Sequence, residues 1–163
     1  MPGVPDVYQG CETVALSLVD PDNRRAVDFT RICFDLAALD ASVDAILGGD
    51  GDLDSFGRAK LLVTSRALRL RRARPEWFAG GYEPLAASGT AAAHAVAFRR
   101  GQAVTVVTRL PVGLRRRGGW QDTTLSLPAG AWADLLTGTV HHGDVPMTAL
   151  TGRLPVALLV RGE

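Results

Sequence analysis

The 163-residue chain has one lysine, Lys60, among its 18 basic residues, only two cysteines, and no surplus of either charge, with a net of +1. Each shortage excludes something. A near-neutral balance argues against a surface made for nucleic acid or for a membrane, since both need a strong basic excess. The near-absence of lysine, set against many arginines and alanines, reads as compositional bias and not as a functional signal. Cys11 and Cys33 lack metal-type spacing, so they are expected to be free thiols, buried or partly buried, and not a disulfide. No apolar run approaches the roughly 18 residues of a membrane span, and the first residues hold neither a basic nor an apolar signal region. Those absences predict a cytoplasmic location. No repeat or low-complexity segment is apparent.

What is present suits a folded domain. The hydrophobic fraction of 47% and the charged fraction of 21% are ordinary for a globular chain, and this length can bury an adequate core. Residues 4–10 read as a short strand ending at Gly10, and residues 11–28 as a loop whose Asp20-Pro21-Asp22-Asn23 is rich in turn formers. Ile32, Leu36, Leu39, Val43 and Ile46 recur at steps of four and three, which predicts a helix from about Thr30 to Leu47. Asp28 or Thr30 would cap it and Gly48-Gly49 would end it. The acidic run Asp50–Asp54 fails as a calcium loop because Leu61 stands where the closing glutamate belongs.

A second helix is expected from Phe56 to Arg74, with apolar residues spread around much of its girth. A helix of that kind touches protein on more than one side. The arginines at its end suit the negative pole of the helix dipole. Beyond Tyr82 the pattern turns to short strands, at about 94–99, 103–110, 123–127, 131–136, 145–148 and 154–160. A tight turn with glycine first is expected at Gly101-Gln102. The fold class is therefore α+β, with a helical part over residues 1–78 and an antiparallel β-sandwich over 79–163.

The opening string PGVPDVYQG is similar to the exit of the eighth strand in the α-amylase superfamily, whose (β/α)8 barrel is followed by a β-sandwich called domain C. In combination with LVDPDNRRAVDF, KLLVTSRALRLRR, FAGGYEPL and LPVALL, in that order, the chain resembles the maltooligosyltrehalose synthase family along nearly its whole length. Cys11 stands where a threonine or similar residue is expected, and Ala26 where a proline is usual. The resemblance implies that residues 1–78 are a remnant of the barrel, with its last strand and helices, and that the catalytic carboxylates belong to sequence preceding Met1. It also implies an intramolecular transglycosylation. The reducing-end α-1,4-linked glucose of a maltooligosaccharide is cut and rejoined as an α,α-1,1-linked trehalose end. This is retaining chemistry that needs a carboxylate nucleophile and a second carboxylic acid, and it must hold the released glucose while excluding water. No cofactor or metal is implied, and the isolated chain is expected to be inactive.

Loops on the C-terminal face of such a barrel build its site. The resemblance thus points to Tyr8, Asp20, Asp22, Asn23, Arg24 and Arg25 as contacts to maltooligosaccharide at the acceptor end. The plainer reading is that Asp20 and Asp22 make turns while Arg24 or Arg25 pairs with Glu12 or Asp28. Asp6 and Glu12 are not assigned catalysis. His141-His142 with Asp144 reads as a solvated turn, His94 as a surface or interface residue, and Arg115-Arg116-Arg117 as a basic loop tip. Trp77, Trp120 and Trp132 read as packing residues in preference to a sugar platform. A remnant of a barrel would also expose apolar surface, which predicts self-association. An alternative function is a non-catalytic carbohydrate-binding or interaction module.

Overall fold

A computed structural model describes residues 8, 10–16, 24–44 and 53–162 of the chain. They divide into two compact units, Met1–Ser65 and Arg66–Glu163, the division falling inside a helix.

The first unit contains helix α1, Phe29–Ala41, and the N-terminal part of helix α2, Leu53–Ala73. Asp28 caps α1 as expected: its carboxylate accepts the Arg31 amide at 2.9 Å, satisfying one of the orphan donors of the first turn. Leu39 turns inward and is 1% exposed, as its place in the apolar stripe requires. The helix ends at Ala41 and not near Leu47, because the backbone turns extended at Ser42, whose amide donates to the Ala38 carbonyl; Gly48-Gly49, and all but Tyr8 and Gly10 of the strand expected over residues 4–10, lie outside the described residues. Along α2 the girth of apolar residues is unevenly used. Leu61 and Leu62 are buried while Phe56 and Leu68 are exposed.

The second unit is built on antiparallel strands. After α3, Pro75–Ala79, come β1 (Glu83–Leu85), β2 (Ala87–Ser88), a short 3-10 turn (Ala92–His94), β3 (Ala95–Arg100) and β4 (Ala103–Thr108). There follow α4 (Pro111–Arg116), β5 (Thr124–Ser126), β6 (Trp132–Asp134), β7 (Val140–His141), β8 (Asp144–Pro146), α5 (Met147–Thr151) and β9 (Val156–Arg161). One sheet has the order β1-β3-β4-β9-β6-β7 and the other β2-β5-β8. The tight turn expected between β3 and β4 forms, with Arg100 opposite Ala103. Gly101 is needed there twice over. Its φ is +54°, and a Cβ would lie 2.7 Å from that of Trp77.

A single apolar cluster draws on both sheets: Val104, Val106, Leu159 and Trp132 from the larger, Leu125 and Val145 from the smaller, with Met147 beside them. Each such side chain fully withdrawn from water contributes about 1.5–3 kcal/mol. Trp132 and Trp120 are core residues, as the packing reading requires, and the Trp132 indole donates to the Pro128 carbonyl at 2.7 Å. A buried carboxylate supports the fold. Asp134, 2% exposed, accepts from the Leu136 and Leu158 amides and from the Thr137 hydroxyl.

Three local expectations are corrected. His94, expected at a surface or an interface, is buried and does not face solvent: it ends the 3-10 turn and its Nδ1 lies 3.2 Å from the Arg109 carbonyl oxygen. His141 is also buried and pairs with Trp132 from strand β7, so it is not part of a solvated turn, while His142 and Asp144 are exposed. Arg115 and Arg116 lie on α4 and not on a loop tip, though all three arginines of the run are exposed.

Candidate functional site

The first unit holds a cavity of about 540 Å³ on the path of the loop that follows the opening motif. Gly10 sets the path of that loop. Its φ of +86° lies in the left-handed region, and a side chain there would overlap Val27 on the returning strand of the loop. The two ends of the loop therefore meet only because residue 10 is glycine. Lys60, the sole lysine, fastens the outgoing limb by donating from Nζ to the Thr13 carbonyl at 2.8 Å.

The polar wall of the cavity includes Arg25, Asp28, Arg31, Asp35 and Asp54, with Tyr8 at its rim. Arg31 organises this wall. Its Nη2 donates to Asp54 Oδ2 at 2.8 Å and its Nε lies 3.8 Å from Asp35 Oδ2. The hydrogen bond and charge of Asp54, then the charge of Asp35, hold the guanidinium above its ordinary value. Guanidinium and carboxylate groups in such an array offer paired donors and acceptors, the chemistry that hydroxyl-rich ligands require. No group of histidine, cysteine, aspartate or glutamate side chains among the described residues is arranged to hold a metal ion.

Of the residues that the sequence points to, Tyr8 and Arg25 line this cavity. Arg24 is exposed and outside its lining, although it is engaged in an interaction of its own. Asp20, Asp22 and Asn23 lie outside the described residues. Sequence reasoning missed Arg31, Asp35 and Asp54. Arg31 and Asp35 carry a readable signal, an i,i+4 charge pair on the first turns of the helix after the motif. Asp54 carries none, because only the fold brings it to Arg31. Cys11 is half-buried and Cys33 is exposed; both are free thiols, so only Cys11 keeps the burial expected of it.

No family model matches the chain. It is 48% identical over 163 residues to proteins from two strains of Mycobacterium tuberculosis, provisionally assigned as maltooligosyl trehalose synthase, matching 99% of this chain and 19% of theirs. Its fold is similar to the solved maltooligosyltrehalose synthase of Arthrobacter ramosus, with a TM-score of 0.87 and 46% identity over 99% of this chain and 20% of that one. A solved glycosyltrehalose synthase superposes with a TM-score of 0.64 at 26% identity, covering 99% of this chain and 19% of that one. The mixture of helices and antiparallel sheets is thus one that these enzymes share. Among the described residues no helix is long and apolar enough to cross a membrane. Over 99% of its length the chain is similar to maltooligosyltrehalose synthases, and it spans about a fifth of the length of the relatives it matches.

Proposed function

We propose that the chain works as the C-terminal part of a maltooligosyltrehalose synthase, an isomerase that moves the reducing-end glucose of a maltooligosaccharide from an α-1,4 to an α,α-1,1 bond in trehalose biosynthesis. The observation that carries this reading is the 46% identity and 0.87 TM-score held over 99% of the chain. In this reading residues 1–78 are the end of the catalytic barrel and residues 79–163 are the β-sandwich behind it. The nucleophile and acid lie in the remaining four fifths of the enzyme, in the cytoplasm, and the chain alone is inactive.

Its contribution is the acceptor end. The released glucose must stay within reach of the glycosyl-enzyme while its anomeric hydroxyl turns to attack, and water must be kept out. Tyr8 offers a packing face for the sugar ring, and Arg24 and Arg25 offer donors to its hydroxyls. Asp20, Asp22 and Asn23, just before them in sequence, offer the acceptors. The cavity along the loop supports this assignment, since Tyr8 and Arg25 both line it. A cavity of about 540 Å³ accommodates a glucosyl unit with solvent to spare.

The test is a chimera in which these 163 residues replace their counterpart in the Mycobacterium tuberculosis relative. With maltohexaose, the chimera should remove reducing ends and yield the non-reducing product, whereas the isolated chain should do neither. Arg25→Ala in the chimera should raise the share of hydrolysis over transfer, by about tenfold if one charge-assisted hydrogen bond to the acceptor is lost. An active chimera whose Arg25→Ala variant keeps the parent's affinity and its transfer-to-hydrolysis ratio would remove that residue from the site. An inactive but folded chimera would sink the whole reading.

A further inference from the structure

The second unit holds a cavity of its own, about 650 Å³ in volume, lined by the 3-10 turn and by α4 with the residues that flank it. Its walls are largely aliphatic, with Leu110, Pro111 and Val112 all exposed. Leu110 has a φ of +51°, in the left-handed region that a bulky side chain rarely enters, so the backbone is strained at a leucine that stays in water. His94 lines the same cavity and is 7% exposed. Its Nδ1 lies 3.2 Å from the Arg109 carbonyl oxygen, and a carbonyl can only accept, so Nδ1 carries the proton and Nε2 a lone pair. Nε2 has no hydrogen-bond partner among the described residues. The ring edge that bears it faces Gly113, where a Cβ would lie 3.1 Å from Cε1 and 4.0 Å from Nε2. Glycine at this position keeps that edge open.

The polar groups of the cavity select among ligands. Arg117, on its lining, repels a cation and supplies donors, while the lone pair on His94 Nε2 repels a carboxylate and asks for a donor. Thr90, also on the lining, already has its hydroxyl engaged with Gln121 and Asp122. A hydroxyl satisfies both remaining groups, since it donates to one and accepts from the other. The aliphatic walls then require a hydroxyl-bearing body with an apolar face. We infer that this cavity binds a glucosyl unit of an α-1,4-glucan. The C–H face of the sugar ring lies on Leu110 and Val112, one hydroxyl donates to His94 Nε2 and another accepts from Arg117. A mostly apolar hollow with a few placed polar groups, in this range of volume, is the usual form of a small-ligand site. The choice of glucose among sugars rests on the function proposed above; the demand for hydroxyls does not.

Titrating the 163-residue chain with maltotriose, followed by NMR, tests it. The amide signals of the 3-10 turn and of α4 should move, and with them the His94 Nε2 nitrogen as it accepts a hydroxyl proton. Arg117→Ala, at an exposed position, should weaken binding about tenfold. Gly113→Ala should weaken it at least as much by closing the ring edge. Alanine is the better helix former, so the thermal midpoint of that variant should hold within about 3 °C. If maltotriose at about 20 mM, enough to show even a weak complex, moves none of these signals, the cavity is not a sugar site. Hexanoate moving them in place of maltotriose would assign the cavity to an aliphatic acid and overturn the proposal. So would shifts that survive both substitutions, because the sugar would then sit elsewhere on the chain. Binding needs no turnover, which separates this site from the function proposed above. An inactive chimera beside a chain that still binds maltotriose here removes the function and keeps the site; an active chimera beside a chain that does not bind removes the site alone.

Discussion

The two units of the chain spend their apolar residues in opposite ways. In the second, strands from two sheets and two short helices enclose Val104, Val106, Leu125, Trp132, Met147 and Leu159 in one continuous cluster, every one of them at most 1% exposed. In the first, the buried apolar residues among those described are Leu39, Leu61 and Leu62 alone, while Phe29, Phe34, Leu53 and Phe56 are each more than half exposed. The second unit carries the means of its own stability. Among the described residues of the first, large apolar side chains are more often exposed than enclosed.

The strongest way to break this contrast is to damage the richer side. All three tryptophans, Trp77, Trp120 and Trp132, belong to the second unit, so tryptophan fluorescence reports on it selectively. Asp134→Ala would remove the acceptor of three hydrogen bonds and leave two backbone amides buried without partners. The expected loss is about 3–5 kcal/mol by fluorescence-monitored urea denaturation. A loss below about 1 kcal/mol would mean that Asp134 is not a support of this unit.

Leu39→Ala probes the poorer side. The cavity it leaves should cost α1 about 2–3 kcal/mol, seen as faster amide exchange along Phe29–Ala41, while the tryptophan transition keeps its midpoint. The contrast fails if both signals move together, for then the chain unfolds as one body and the division between units has no energetic meaning.

How much of this was legible depends on how local the cause is. The start of α1, its Asp28 cap and the turn at Gly101 follow from neighbouring residues and are where the sequence places them, whereas the helix ends at Ala41 and leaves Val43 of the expected stripe outside it. Strands β3, β4 and β9 announce themselves by runs of valine, leucine and alanine between turn formers. The strands β1, β2 and β7 span only two or three residues each and have no pattern to read, because their pairing is set by the partner strand. The burial of His94 and His141 was illegible for the same reason. A histidine's surroundings come from residues far along the chain, such as Arg109 and Trp132. In the cavity, Tyr8 and Arg25 could be named through the motif they belong to, but Asp54 could not. It joins Arg31 across 23 positions of sequence, and no spacing rule spans that gap.

The smallest expected effect concerns how each unit holds an exposed acidic group. Asp122, in the second unit, accepts the Thr90 hydroxyl at 2.6 Å and the Thr90 amide at 3.0 Å, and these neutral donors hold its carboxyl below the ordinary value of 3.8. Because the folded value is lowered, the interaction stabilises the fold at pH above the unfolded carboxyl's titration and is lost as pH falls through the folded one. In the first unit Asp54 instead meets a full charge, the Arg31 guanidinium, with both side chains well exposed. Salt should therefore separate the two. Raising sodium chloride from 0.05 to about 1 M should leave the Asp122 carboxyl titrating low by NMR while weakening the Arg31–Asp54 contact, since screening acts on charge pairs and hardly on a short hydrogen bond to a hydroxyl. Thr90→Ala should move Asp122 upward at either salt concentration. If salt instead raises Asp122 as much as Thr90→Ala does, its carboxyl is held by distant charge and not by Thr90. The rim of the second unit would then be no more locally fixed than the loop of the first.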